Sequence, residues 1–385
     1  MSHDDEPYEY QARDVGDHSG RWLVVGEGRI SGYLSASLGI LSLLSVLAFM
    51  YPSYLTTPDL RASYYVTVLR MLLEAGMWSS LIFGLLTFLL GRRKRMGAVG
   101  IVASAIALGL GGWNVPLGEL RPSRFTLGVD WLVLDLLGSV ALFVFIEKIW
   151  PKYREQAILR PAWRLDLTYF ALNHLAVGAF LVVGNGFAPA VFGWATNATI
   201  QGWVTSLPVW GQIVLLVFAA DLVQYWVHRM FHEVPVLWRF HAVHHSTEQM
   251  DWLAGSRTHF VQVLADRTLV MVPLYLLGPA EAALNGYVVV AGFQAVFIHA
   301  NFGMEFGPLK YLVATPQFHH WHHSAERPAI DTNYAVHLPL CDMLFGSFHL
   351  PGKHWPAHYG TVKPIPRTLV GQLLYPFLPE RSDDG

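Results

Sequence analysis

Four histidines crowd into five positions of the stretch TPQFHHWHHS at 315–324. A second cluster, HAVHH, occupies 241–245, and a looser pair, HRMFH, occupies 228–232. His241, His244 and His245 stand at i, i+3 and i+4, and His319, His322 and His323 repeat that spacing. On a helix such positions share a face. His228 and His232, four apart, do the same. Each cluster can therefore aim two or three imidazoles at one point. A single isolated histidine is more often a satisfied core residue, but three clusters at helical spacing point to metal ligation. Imidazole suits zinc, copper, iron and nickel. These eight ligands are too many for one ion and suit two. Two adjacent metals can bind dioxygen between them and make an oxidant able to break an unactivated C–H bond. Soluble di-iron proteins do this with Glu and Glu-x-x-His motifs on a helix bundle. Here histidine replaces the carboxylates.

Asp221, Tyr225, His228 and His232 fall at i, i+4, i+7 and i+11, a continuous stripe. Asp221 lies two turns deep in an apolar helix, where an ionisable residue is a functional candidate by default. A carboxylate near ligand histidines commonly orients them, and a structural polar contact is the alternative role. His320 points about 100° away from its helical neighbours, so it reads as a contact at the edge of the site. His337, His349, His354 and His358 lack cluster spacing and read as surface or packing residues.

The elements that carry these residues belong to a membrane protein. The chain is 53% hydrophobic and only 14% charged, against about 25% charged in soluble domains. Apolar runs at 30–51, 71–90, 97–113, 131–146, 167–184 and 209–227 approach the length that crosses a bilayer. Weaker ones lie at 261–278 and 284–300. The fold class expected is all-α: a polytopic membrane bundle with a histidine-rich helical cap. Its expected parts are a polar tail at 1–29, transmembrane helices at 30–146, a catalytic domain at 147–358 and a C-terminal tail at 359–385. The opening MSHDDEPYEY has neither the basic start nor the apolar run of a secretory signal. Basic residues mark the cytoplasmic side. GRRKR at 91–95 and the run from Lys148 to Arg164 fall on one side, and 185–208, free of Lys and Arg, on the other. The same alternation puts all three histidine clusters on the cytoplasmic face. The net charge of −2 gives no sign of a nucleic-acid partner, and Cys341 alone allows no internal disulfide.

The three boxes resemble the H-x-x-x-H, H-x-x-H-H, H-x-x-H-H pattern of the fatty acid hydroxylase/sterol desaturase superfamily. Their flanks over roughly 150–350 are similar too: HHSTEQMDWLAGSRTH after the second box, HANFG at 299–303, and DTNYAVHLPLCDMLFGSF after the third. The last segment often has Trp before its aspartate, where this chain has Cys341. The resemblance implies metal ligation by His228, His232, His241, His244, His245, His319, His322 and His323, with His259 and His299 as further ligands. It implies supporting roles for Asn301, Asn333 and Asp342 beside Asp221. It further implies two non-haem irons, dioxygen, and hydroxylation or desaturation of a lipid such as a fatty acyl, sphingolipid or sterol. Electrons would come from a separate ferredoxin or b-type cytochrome with an NAD(P)H-dependent reductase, since no nucleotide or flavin fingerprint is visible. Two other classes are weighed against this. A membrane zinc hydrolase would show H-E-x-x-H, which is absent; Glu233 follows His232 in the wrong order. A metal transporter would place ligands near mid-span, whereas these clusters sit at and beyond span ends.

Overall fold

The computed structural model describes residues 29–57, 61, 64–91, 94–120 and 126–379. The polar tail expected at 1–29 thus lies outside the described residues except for Arg29, as do Arg92 and Arg93 of the basic loop. The described chain is helical, with isolated bridges at Pro151–Phe302 and Ser324–Tyr359. Among the described residues seven helices are long and apolar enough to cross a membrane, and Glu281–Phe297 is a shorter apolar helix. The protein is a multi-pass membrane protein.

The chain forms two compact units. The first holds α1 (Arg29–Met50), α2 (Val66–Leu90) and α3 (Arg95–Gly109). In a bilayer the hydrophobic effect does not press helices together, so close backbone approach must do so. A Cβ on Gly100 would lie 2.4 Å from the Ser35 carbonyl oxygen, so only glycine lets α3 sit against α1. Ser35 Oγ donates to Ser80 O and Ser80 Oγ to Ser35 O, each at 2.8 Å, tying α1 to α2. Val46, Phe49, Leu73, Met77, Ala107 and Val115 fill the core of this unit.

The second unit runs from 121 to 385 with residues 53–61. It contains α4 (Val129–Ile149), α5 (Trp163–Phe192), α6 (Ala198–Ser206) and α7 (Val209–Glu233). The first unit closes at Leu120, and α4 belongs to the second. The reason is that Phe143 of α4 packs with Phe170, Trp252, Leu253, Ala300 and Phe302, all in the second unit.

Short helices follow α7. Val234 breaks it, and Pro235 opens α8 (Pro235–His245) at the position where a missing N–H costs nothing. Then come α9 (Phe260–Leu277), α10 (Glu281–Phe297) and α11 (Pro316–His322). α11 starts with Thr315 capping the Phe318 N–H and Pro316 in the first turn. α12 (Leu340–Phe345) ends at Gly346, whose φ of 78° suits glycine.

Candidate metal centre

The three boxes are helical, as their spacing predicts. His228 and His232 end α7, the second box ends α8, and the third forms most of α11 with His323 just past its end. Their imidazoles, with His299 from the end of α10, converge into two groups. One comprises His228, His232, His241, His245 and His322, the other His244, His299, His319 and His323. Within each group the ligand atoms lie within 4.8 Å of one another. The groups are adjacent: the rings of His245 and His323 stack with centroids 4.4 Å apart.

Hydrogen bonds on the outer ring nitrogens fix the chemistry of the inner ones. His228 Nδ1 donates to Tyr334 O at 2.7 Å and His322 Nδ1 to Thr332 O at 2.8 Å. His299 Nδ1 donates to Ala295 O at 2.7 Å and His244 Nδ1 to Arg257 O at 3.1 Å. A carbonyl only accepts, so each of these rings, when neutral, carries its proton outside and a bare lone pair on Nε2. Yet the Nε2 atoms face one another: His228 and His241 at 2.9 Å, His245 and His322 at 3.0 Å, His299 and His244 at 3.2 Å. In the His299–His244 pair both atoms are bare, and two lone pairs at that distance repel unless a cation lies between them. Adjacent ligands on an ion bound at about 2.1 Å would stand about 3 Å apart. The donor set therefore fits metal ions, and its all-nitrogen character suits iron, zinc or copper.

Burial keeps the imidazoles neutral. Removal from water pushes His299 down to about 3, and neighbouring imidazoles add to the effect. The same two causes hold His241, His244, His245, His319, His322 and His323 well below the usual 6.5. Neutral imidazole is the ligating form, so the site is poised for metal at physiological pH.

The carbonyls that hold His228 and His322 come from one loop, 332–334, and aspartates anchor it. Asp342 accepts from Tyr334 N and Ala335 N at 2.7 and 2.8 Å. Asp221 accepts from the Val336, His337 and Leu338 amides at 2.8–3.1 Å. It orients no ligand directly and acts through this loop. Asn333, at φ 59°, bonds Phe318 O and His349 O. Asn301 pairs with the Tyr153 backbone and touches no histidine ring. On the other flank, Arg160 and Arg257 share Asp166 at 2.7 and 2.5 Å, and Arg160 also reaches Asp251. All four are buried. They clamp the start of α5 to the segment that presents Arg257 O to His244. Gly255 brings that segment against His299, where a Cβ would lie 2.7 Å from Nδ1.

The profile of the fatty acid hydroxylase family matches residues 213–347, which span α7 to α12 and hold both groups. An ornithine lipid hydroxylase of Rhizobium tropici is 30% identical over 257 residues, 66% of this chain and 78% of that protein. The chain belongs to the fatty acid hydroxylase/sterol desaturase superfamily. It is an oxidoreductase. The human alkylglycerol monooxygenase is 33% identical over 148 residues, 38% of this chain and 32% of that protein. A very-long-chain aldehyde decarbonylase of Oryza sativa subsp. indica is 31% identical over 158 residues, 37% of this chain and 25% of that protein. The chain thus spans a third or less of these last two. No solved structure matches.

Within the family frame, His299 stands with the eight box histidines, but His259 does not. Its Nδ1 caps Val261 N at the start of α9 and its Nε2 donates to Leu373 O, so both ring nitrogens are engaged. A histidine at a helix start is a cap as readily as a ligand. His320 stays outside both groups, bonding Tyr359 and the carbonyls of His299 and Ala300. His337 is buried and bonds Asp221, so it is no surface residue. Sequence reasoning missed Gln262 and Arg257. A Gln and an Asp four apart in a largely apolar helix, Gln262 and Asp266, were the available signal for the first.

Proposed function

We propose that this enzyme hydroxylates a C–H bond of a membrane lipid, using dioxygen and two electrons delivered from outside, at two irons held by the five- and four-histidine groups. The observation that carries the reading is the convergence of nine buried or part-buried imidazoles into two adjacent sets, with the bare Nε2 atoms of His244 and His299 facing each other. When bound, the irons supply an oxidant strong enough to take hydrogen from an unactivated carbon. The chain supplies the rest. The Nδ1–H bonds to Tyr334, Thr332, Arg257 and Ala295 hold rings in one tautomer, so these ligands need not reorganise during the reaction. Burial of the histidines excludes bulk water, which protects a reactive centre from side reactions. Phe143, Phe170, Trp252, Leu253 and Phe302 form a buried apolar cluster with Ala300, the residue after His299.

The names of the relatives support hydroxylation of a lipid over desaturation. The alternation of basic loops supports a cytoplasmic site. A ferredoxin or a b-type cytochrome with its NAD(P)H-dependent reductase would then deliver electrons there.

The test is mass spectrometry of membrane lipids from one host that carries a matched redox partner. The host expresses either the intact protein or His322→Ala. A lipid that gains one oxygen only with the intact protein is the expected result. Loss of two hydrogens would make the enzyme a desaturase. No change, despite bound iron and a working reductase, would overturn the reading.

A further inference from the structure

His241 differs from the carbonyl-held ligands in what holds it. His228, His322, His244 and His299 lean on backbone carbonyls, which have a single polarity. His241 instead leans on a side-chain amide, with Nδ1 2.9 Å from Gln262 Oε1. An amide has an accepting end and a donating end. With the carbonyl toward His241, the ring donates from Nδ1 and leaves Nε2 bare. With the NH2 end toward His241, the ring must accept at Nδ1, and its proton moves to Nε2, where it blocks a metal.

Asp266 decides between these two states. Its Oδ2 lies 3.4 Å from Gln262 Nε2, one helical turn along α9. The ionised Asp266 carboxylate only accepts, so in that form it takes the NH2 end and turns the carbonyl to His241. Asp266 is the sole acidic residue of α9, a membrane-length helix that also carries Gln262 and, next to Asp266, Arg267, and an ionisable residue in such a span is a functional candidate by default. Its Oδ1 is out of solvent contact and has no hydrogen-bond partner.

We propose that Asp266 is a positioning residue that acts through Gln262 to lock His241 in the metal-binding tautomer, and so sets the affinity of the five-histidine group. The inference rests on the metal-centre reading above. The test is cobalt(II) titration of the metal-free full chain in detergent, followed by the visible absorption of the bound ion and by cobalt counted per chain. Asp266→Leu is expected to weaken one class of site about 10–100-fold and to leave the other unchanged. Gln262→Leu should weaken it equally, and combining the two should cost nothing more, because they act in series. Gln262→Glu, which accepts at both oxygens, should restore affinity to Asp266→Leu. If Asp266→Leu alone does not fold, the Gln262→Glu/Asp266→Leu double variant is compared with Gln262→Glu, and equal affinity is expected. Unchanged cobalt affinity in Asp266→Leu, additive losses, or no rescue by Gln262→Glu would each overturn the proposal. An intact protein that takes up no cobalt would instead overturn the metal centre itself.

Discussion

At the scale of single residues, the centre depends on where each imidazole proton sits. Tyr334 O and Arg257 O are as necessary to this arrangement as the ring nitrogens, because they keep the proton outside. Gly255 shows how little room is left. A methyl group there would meet His299 Nδ1 at 2.7 Å, and that ring is already held by Ala295 O. Gly255→Ala should therefore swing His299 out of line while leaving the helices intact. A misplacement of about 1 Å can cost on the order of a hundredfold in rate, so turnover should fall by about that factor with an unchanged helical circular dichroism spectrum. Full activity in this variant would remove His299 from the centre.

At the scale of elements, helix starts and ends set the geometry. α7 stops at Val234 and α8 starts at Pro235, so two boxes meet within a few residues of a break. The Arg160–Asp166–Arg257–Asp251 cluster then fixes the start of α5 against the segment that carries Arg257 O. Removing one partner of a buried ion pair leaves an uncompensated charge, which costs about 3–5 kcal/mol. Asp166→Ala leaves Arg257 in that state and Arg160 with Asp251 alone. Its thermal midpoint should drop, and metal bound by the four-histidine group should drop with it, since His244 leans on Arg257. A wild-type melting curve would show that the cluster is not holding this segment.

At the scale of the whole molecule, acid sensitivity follows from so many buried neutral imidazoles. Burial lowers His299 to about 3 and His320 to about 4, whereas the unfolded chain titrates near 6.5. Between those values the unfolded state binds more protons. Stability is therefore fully present above about 6.5 and declines as pH falls toward 4 and then 3, by at most about 1.4 kcal/mol per pH unit for each group. The melting midpoint of the metal-free protein, followed from pH 7.5 down to 4.5, should fall steadily; a flat profile would contradict the burial of neutral rings. Membrane sidedness is a second property at this scale. Cys341 is buried, so Lys353→Cys and Thr196→Cys, both at exposed positions, act as separate reporters. An impermeant thiol reagent applied to intact cells should reach only Thr196→Cys. Labelling of Lys353→Cys instead would move the histidine centre to the other face.

Much of this was legible in the chain itself. Composition and apolar run length determine a membrane bundle, because a bilayer demands long helices of low polarity. The i, i+3, i+4 spacing determines that each box forms a ligand-bearing helical face. Tertiary structure alone decided how the boxes divide. His241 and His245 join His228 and His232, but His244 turns to the other group; His319 and His323 stay together while His322 crosses over. Residues four apart on a helix differ in direction by about 40° and those three apart by about 60° on the opposite side, so one helix lying between two centres serves both. Spacing contains those angles but not the position of a second helix. For the same reason the histidines that Tyr334 O, Gln262 and Arg257 hold were out of reach of the sequence, although the spacing of Gln262 and Asp266 marked one of these residues. Those three groups lie 106, 21 and 13 residues from the histidines they hold, and only folding brings them within a hydrogen bond.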